Sequence, residues 1–306
     1  MEEIAAVVNC TPTPQPLHPD IRATDMKLRL KENMTYIVAG VVIQDGKVLL
    51  IQEAKASCRG TWYLPAGRME RDESIVEAVQ REVLEESGYQ FQPEALVVVE
   101  SHSYHWVRFT LVGRVVGGSL KTTKQADQES LQAGWFTAHV ENLVKQVRLR
   151  AGDILPLIIK AGEWFERRLF VGLPVLVGHT SSSQRMVLVH DDGQTMVVLT
   201  RQEGGGSTSL PVCLLHGRDD PTAITIKDCG YTGHFKHCGV LSVEHSGKPH
   251  GKFDGFCVTY ILKADSLDLG SKSKGQEFEW TVVTDPLMSQ LRVALTSEGS
   301  ARFIQL

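Results

Sequence analysis

The segment Gly67–Tyr89, GRMERDESIVEAVQREVLEESGY, decides how this chain is read. Ser74 and Glu77 form an S-x-x-E capping box, which predicts a helix start there. Val76, Val79 and Val83 make an apolar stripe at helical spacing, and Gly88 stands where a left-handed C-cap would end the helix. Close to that end sit Glu82, Glu85 and Glu86. Like charges three and four apart on a helix cost a few tenths of a kcal/mol each. At about 100° per residue they fall within about 100° of one another, beside the stripe. One edge is therefore expected to face a core while the neighbouring edge presents three carboxylates to a common point. That is poor structure and a good divalent-cation site, since Mg²⁺ takes hard oxygen ligands and keeps waters that leave room for phosphates.

Upstream, MTYIVAGVVIQ and KVLLIQE are Val- and Ile-rich runs split by Asp45-Gly46, a strong hairpin signal. A loop holding Cys58-Arg59-Gly60 leads to WYLPAG and the glutamate helix. Downstream, ALVVVES and YHWVRFTLVGRV read as strands and AGWF as a further short one. ENLVKQVRL and DILPLIIKAGEWFERR have helical spacing, the latter opening on Asp153 as an N-cap. Strands and helices mix without regular alternation, so the fold class is α+β with a mixed sheet. Residues 1–32 are polar and broken by prolines (CTPTPQPLHPD), and read as an N-terminal tail or loose first strand.

At 306 residues the chain is long enough for two domains. A composition of 42% hydrophobic and 22% charged residues is that of a soluble globular protein, and a net charge of −4 gives no reason to expect nucleic acid as a partner. Six scattered cysteines without a C-x-x-C pair suit a reducing compartment. MEEIAAVVNC lacks the basic and apolar regions of a leader, and no run approaches the roughly 18 apolar residues of a membrane span. The expected location is the cytoplasm, away from membranes, with homodimerisation left open. The spacing of Cys229, His234, His237 and Cys238 matches no standard zinc pattern.

Taken alone, a glutamate-rich helix face is solvated surface. Here the whole segment fits G-x5-E-x7-R-E-U-x-E-E-x-G-U, where U is apolar, through Gly67, Glu73, Arg81, Glu82, Val83, Glu85, Glu86 and Gly88. Only Tyr89 departs, being aromatic where an aliphatic is usual. Seven fixed letters at about 7% each give a chance match on the order of 10⁻⁸ per start position. The segment resembles the box of the Nudix hydrolases. The resemblance implies an α/β/α sandwich over residues 33–168 and hydrolysis of a nucleoside diphosphate linked to a further group, with Mg²⁺ or Mn²⁺. It implies Glu82, Glu85, Glu86 and the Ala66 carbonyl as metal ligands, and Arg81 with Glu73 as the ion pair that fixes the loop to the helix.

Flanking segments, LLIQEAKASCRGTWYLPAGRME and KTTKQADQESLQAGWF, are similar to the animal branch of the family that cleaves oxidised purine nucleoside diphosphates to monophosphate and phosphate. ADP-ribose pyrophosphatases tend to carry a proline about sixteen residues beyond the box, where this chain has His105, and the upstream motif of the coenzyme A type is missing. Hydrolysis of ADP-ribose or of oxidised triphosphates is the alternative within the family; a nucleotide-binding regulator without turnover has no need of all three carboxylates. Glu129, six before Trp135, resembles the downstream acid that many relatives bring to the metal or the base. Trp62 and Phe136 are candidates to stack on a purine, Val48 to touch the nucleoside, and Arg59 or Lys55 to meet a phosphate.

The remaining stretch, 175–306, is strand-rich and reads as a degenerate copy of the first domain. VLVHDDGQTMVVLTRQE repeats the strand, D-G turn, strand order of VVIQDGKVLLIQEAK. Gly193, Pro211, Glu244 and Trp280 follow Gly46, Pro65, Glu100 and Trp135 at offsets of 147, 146, 144 and 145. Where the box should recur the chain reads VCLLHGRDDPTAITIKDCGYTG, without E-x-x-E-E or an Arg-Glu pair, so this copy is expected to keep the sheet and lack the metal site.

Overall fold

Runs of branched apolar residues between tight turns build two mixed sheets, each in its own compact unit: Thr35–Leu169 with Phe303–Leu306, and Met1–Met34 with Phe170–Arg302. The computed structural model describes residues 1–13, 28–101, 105–167, 172–202, 208–215, 221–270, 278–296 and 302–305. Among these no helix is long and apolar enough to cross a membrane.

The chain starts differently from the expected tail. Glu2–Val8 is a helix, α1, whose Ile4, Val7 and Val8 lie in the core of the second unit with Val187, Leu241 and Leu291. Seven residues are too few to hold a helix in isolation, so burial of this apolar face, which periodicity cannot register in so short a run, is what stabilises it.

In the first unit, β1 (Thr35–Gln44) turns through Asp45 and Gly46, both at positive φ (49° and 69°), into antiparallel β2 (Lys47–Glu53). The short strands β3 (Trp62–Tyr63) and β4 (Ala66–Arg68) pair antiparallel with β2 and β1. The box helix α2 (Ile75–Ser87) follows, then β5 (Tyr89–Ser101) and β6 (Trp106–Gly118). β6 runs antiparallel to β5 and parallel to β1, which makes the sheet mixed. β7 (Ser130–Thr137) pairs antiparallel with β2, and α3 (Val140–Gln146) and α4 (Ile154–Arg167) complete the unit. β1 is central, so Val38, Ala39, Val41 and Val42 are buried on both of its faces.

The second unit contains β8 (Ser183–Asp191), β9 (Met196–Gln202), β10 (Thr208–Ser209), β11 (Val212–Leu214), α5 (Pro221–Asp228), β12 (Phe235–Glu244), β13 (Cys257–Ala264), β14 (Phe278–Val283) and α6 (Leu287–Leu295). Its pairings repeat those of the first in partner and in sense. β8 is antiparallel to β9 and β11 and parallel to β13; β9 is antiparallel to β10 and β14; β12 is antiparallel to β13. Each matches the pairing among β1–β7 at the same place in the order. The last strand, β15 (Arg302–Gln305), lies beside β5 in the first sheet.

Candidate active site on the box helix

The helix that carries the glutamates is fixed at both ends by its own sequence. Ser74 Oγ accepts from Glu77 N, while Glu77 Oε2 accepts from Ser74 N at 2.8 Å, closing a capping box that contributes about 1 kcal/mol. At the other end Gly88 takes φ 80°, and its N–H donates to the Leu84 carbonyl. The buried face is Ile75, Ala78, Val79, Glu82, Val83 and Glu86, with Val76 only half-buried. This corrects the expected geometry. Glu82 and Glu86, one turn apart, lie on the buried face itself, and only Glu85 sits on the solvent side, with 46% of its side chain exposed.

Arg81 organises the acids. Its Nε and Nη2 hold Glu73 bidentately at 2.6 and 2.9 Å, its Nη1 reaches Glu82 at 2.8 Å and Glu85 at 3.1 Å, and Nη2 also donates to the Arg68 carbonyl at 3.1 Å. One guanidinium thus ties the loop after β4 to two of the three box acids, as the ion-pair expectation for Arg81 and Glu73 requires. Gly67 is needed for space: a Cβ there would lie 2.2 Å from Glu82 Oε2. Glu86 Oε2 accepts from Ala66 N at 2.8 Å, so the Ala66 amide is what this carboxylate meets in the present arrangement.

Burial pushes the Glu82 carboxyl above its usual range, and the bonds from Arg81 only partly offset this; Glu129 and Glu85 add repulsion. Burial raises Glu86 well above the normal value, against the Ala66 amide and the charge of Lys55, with repulsion from Glu82 and Glu53. Glu73 goes the other way. Burial would raise it, but the bonds from Arg81 and Glu70 N prevail and lower it. Glu129 and Lys55 are exposed and near enough for these interactions, whereas Arg59 Nη1 is engaged by the Ala54 carbonyl at 2.9 Å.

Among the described residues no three acidic, His or Cys side chains converge closely enough to enclose a cation as they stand. The donor set nevertheless suits one. Glu82 and Glu86 are buried hard oxygen donors whose burial Arg81, Lys55 and the Ala66 amide only partly offset, and Glu53, buried beside them, has an Oε2 with no hydrogen-bond partner.

The aromatic candidates form a pair: Trp62 and Phe136 meet edge to face with centroids 4.5 Å apart, both half-buried, on neighbours of β2. Val48 is opposite Phe136 but fully buried, so its side chain is core. Sequence reasoning missed a second polar group. Arg150 Nη1 pairs with Glu53 at 2.7 Å and stacks over Tyr63 at 4.8 Å; Arg108, buried, donates to Glu100, Tyr63 and Asp153. Partners 45 and 97 residues apart leave no spacing signal.

An arginine-clamped loop leading into a helix with buried paired carboxylates, on a mixed sheet, defines a NUDIX domain, and the NUDIX domain family matches residues 34–158. The human protein described as 8-oxo-dGDP phosphatase NUDT18 is 38% identical over 280 residues, 86% of this chain and 85% of its own length. The protein of that name from Danio rerio is 36% identical over 293 residues, 89% of this chain and 87% of its own. A solved NUDIX hydrolase from Nitrosomonas europaea is 32% identical, covering 44% of this chain and 88% of its own, with a TM-score of 0.34. The chain belongs to the Nudix hydrolase family.

Proposed function

We propose that this enzyme hydrolyses oxidised purine nucleoside diphosphates of the 8-oxo-dGDP and 8-oxo-GDP class to monophosphate and orthophosphate, removing damaged precursors from the nucleotide pool. The observation that carries the reading is the 38% identity to a protein described as an 8-oxo-dGDP phosphatase over most of both chains. Glu82, Glu85, Glu86 and the Ala66 carbonyl would hold Mg²⁺, or Mn²⁺ in its place. When bound, the ion supplies charge neutralisation at the phosphate oxygens and an acidified water.

The chain's own residues do the rest. Arg81, locked by Glu73, holds Glu82 and Glu85 in register. Water attacks phosphorus, the P–O bond to the bridging oxygen breaks, and the water proton passes to a carboxylate, the role we give Glu129. Trp62 and Phe136 offer the purine an aromatic edge and face. We assign the catalytic domain to residues 33–168, and the second unit to a degenerate copy that serves packing, dimerisation or recognition. The repeated strand pairings support the duplication, and α5, PTAITIKD, carries no acid before Asp228. Residues 216–220 of the segment that replaces the box lie outside the described residues. A cytoplasmic location suits the six free thiols.

A substrate panel tests the reading. 8-oxo-dGDP should be cleaved with higher kcat/KM than 8-oxo-dGTP, ADP-ribose or diadenosine polyphosphates, with orthophosphate as second product. Dominant release of pyrophosphate from the triphosphate would overturn it.

A further inference from the structure

The C-terminal turn of the box helix ends on a buried ammonium. Every helix leaves its last four carbonyls without intrahelical partners. In α2 these are Leu84, Glu85, Glu86 and Ser87, and each is met: by Gly88 N, by Lys121 Nζ at 2.9 Å, by Ser130 Oγ at 2.9 Å and by Lys121 N at 2.8 Å. Lys121 supplies two of the four, yet only 6% of its side chain is exposed. A charge is costly to bury, and a hydroxyl or amide would satisfy a carbonyl without that cost.

The other bonds of the ammonium show what else it reaches. Its remaining donors go to Asp127 Oδ2 at 2.5 Å and Ser130 Oγ at 2.7 Å, which uses all three N–H groups. Asp127 in turn fixes the loop backbone, its Oδ1 accepting from Glu129 N and Ser130 N, both at 2.9 Å. The Glu129 carbonyl accepts from Ala54 N at 3.2 Å. The backbone of Glu129 is thus held on both sides while its side chain stays exposed. A continuous chain of bonds runs from the Glu85 carbonyl through Lys121 and Asp127 to the Glu129 amide.

We infer that Lys121 is a positioning residue, which with Asp127 and Ser130 fixes the loop bearing Glu129 against the end of the helix bearing Glu82, Glu85 and Glu86. This rests on the role given to Glu129 above. Without the ammonium the segment keeps its cross-strand bonds and the ties from Ser130 Oγ to the Glu86 carbonyl and from Lys121 N to the Ser87 carbonyl. It loses the link from the Glu85 carbonyl to Asp127, the residue that holds the Glu129 amide, so the Glu129 carboxylate is displaced relative to the other acids. A shift near 1 Å at a reacting centre costs on the order of 10- to 10²-fold in rate.

The test is a double-mutant cycle in the full-length protein with 8-oxo-dGDP and Mg²⁺, reading kcat and KM separately. Lys121→Met should lower kcat on the order of 10-fold or more and leave KM within about threefold. In a Glu129→Gln background it should cost nothing further, because the group it positions is already gone. Asp127→Ala, on the exposed loop, should behave in the same way and replaces Lys121→Met if that variant does not fold. Losses that multiply in the double variant, or wild-type kcat in folded single variants of the clamp, overturn the inference. Wild-type kcat in Glu129→Gln overturns it too, by removing the role of Glu129, while the hydrolytic reading, tested separately by the substrate panel, stands.

Discussion

Gly67→Ala places a methyl group where the Glu82 carboxylate lies. The added Cβ would sit 2.2 Å from Oε2 and 2.3 Å from Cδ and Oε1, whereas real Cβ contacts do not come under 3.0 Å, so the carboxylate must retreat by at least the difference, 0.8 Å. It has little room. Glu82 is 6% exposed, and its Oε1 is held by Arg81 Nη1 at 2.8 Å. Breaking that charge-assisted bond costs about 1.5–3 kcal/mol. Moving a carboxylate by nearly 1 Å from its working position costs on the order of 10²-fold in kcat. Thermal unfolding reads the first effect and orthophosphate release from 8-oxo-dGDP at saturating Mg²⁺ the second. A folded Gly67→Ala enzyme with wild-type kcat would refute the reasoning, because it would mean that the close approach of Glu82 to the loop has no part in catalysis.

Two further outcomes follow from other parts of the chain. Trp62→Ala should raise KM for the oxidised nucleotide on the order of tenfold with kcat little changed, since base–aromatic stacking contributes about 1–3 kcal/mol; an unchanged KM would remove Trp62 from the substrate site. In the second unit, burial pushes the His245 imidazole down to about 4, so between that value and about 6.5 the unfolded chain binds a proton that the folded one refuses. Stability should therefore fall as pH falls through this window, by about 2 kcal/mol from pH 7 to 5 in urea unfolding, and His245→Asn should lose that share of the slope; an identical slope in the variant would contradict the assignment.

How far the sequence could be read depended on whether a signal was local. The capping box at Ser74 and Glu77, the Gly88 cap and the Asp45-Gly46 turn act within a few residues, and all three stand in the structure as expected. The tie between Arg81 and Glu73 spans one loop and was carried by the family motif. Burial of Glu82 and Glu86 was not legible, because an apolar stripe traced through Val76, Val79 and Val83 assigns charged neighbours to the surface. The helix instead turns its Ile75, Val79 and Val83 face inward and takes the two acids with it. The same bias hid Arg108 and Glu53, charged residues on strands: Arg150, the partner of Glu53, lies 97 residues away, and Arg108 reaches Tyr63 and Asp153, each 45 away, besides Glu100 on the adjacent strand. α1 was missed because two turns of helix show no period, and its partners in the core lie more than 170 residues away.

The central claim is that the buried carboxylate line of the box helix holds the metal that drives hydrolysis. The most direct test is orthophosphate release from 8-oxo-dGDP by wild-type and Glu86→Gln enzyme across a Mg²⁺ titration, with circular dichroism to verify folding. The substitution keeps shape and removes a charge at the metal, so kcat at saturating Mg²⁺ should fall on the order of 10²-fold or more with the fold intact. A folded Glu86→Gln enzyme that keeps near wild-type turnover at saturating Mg²⁺ would contradict the claim.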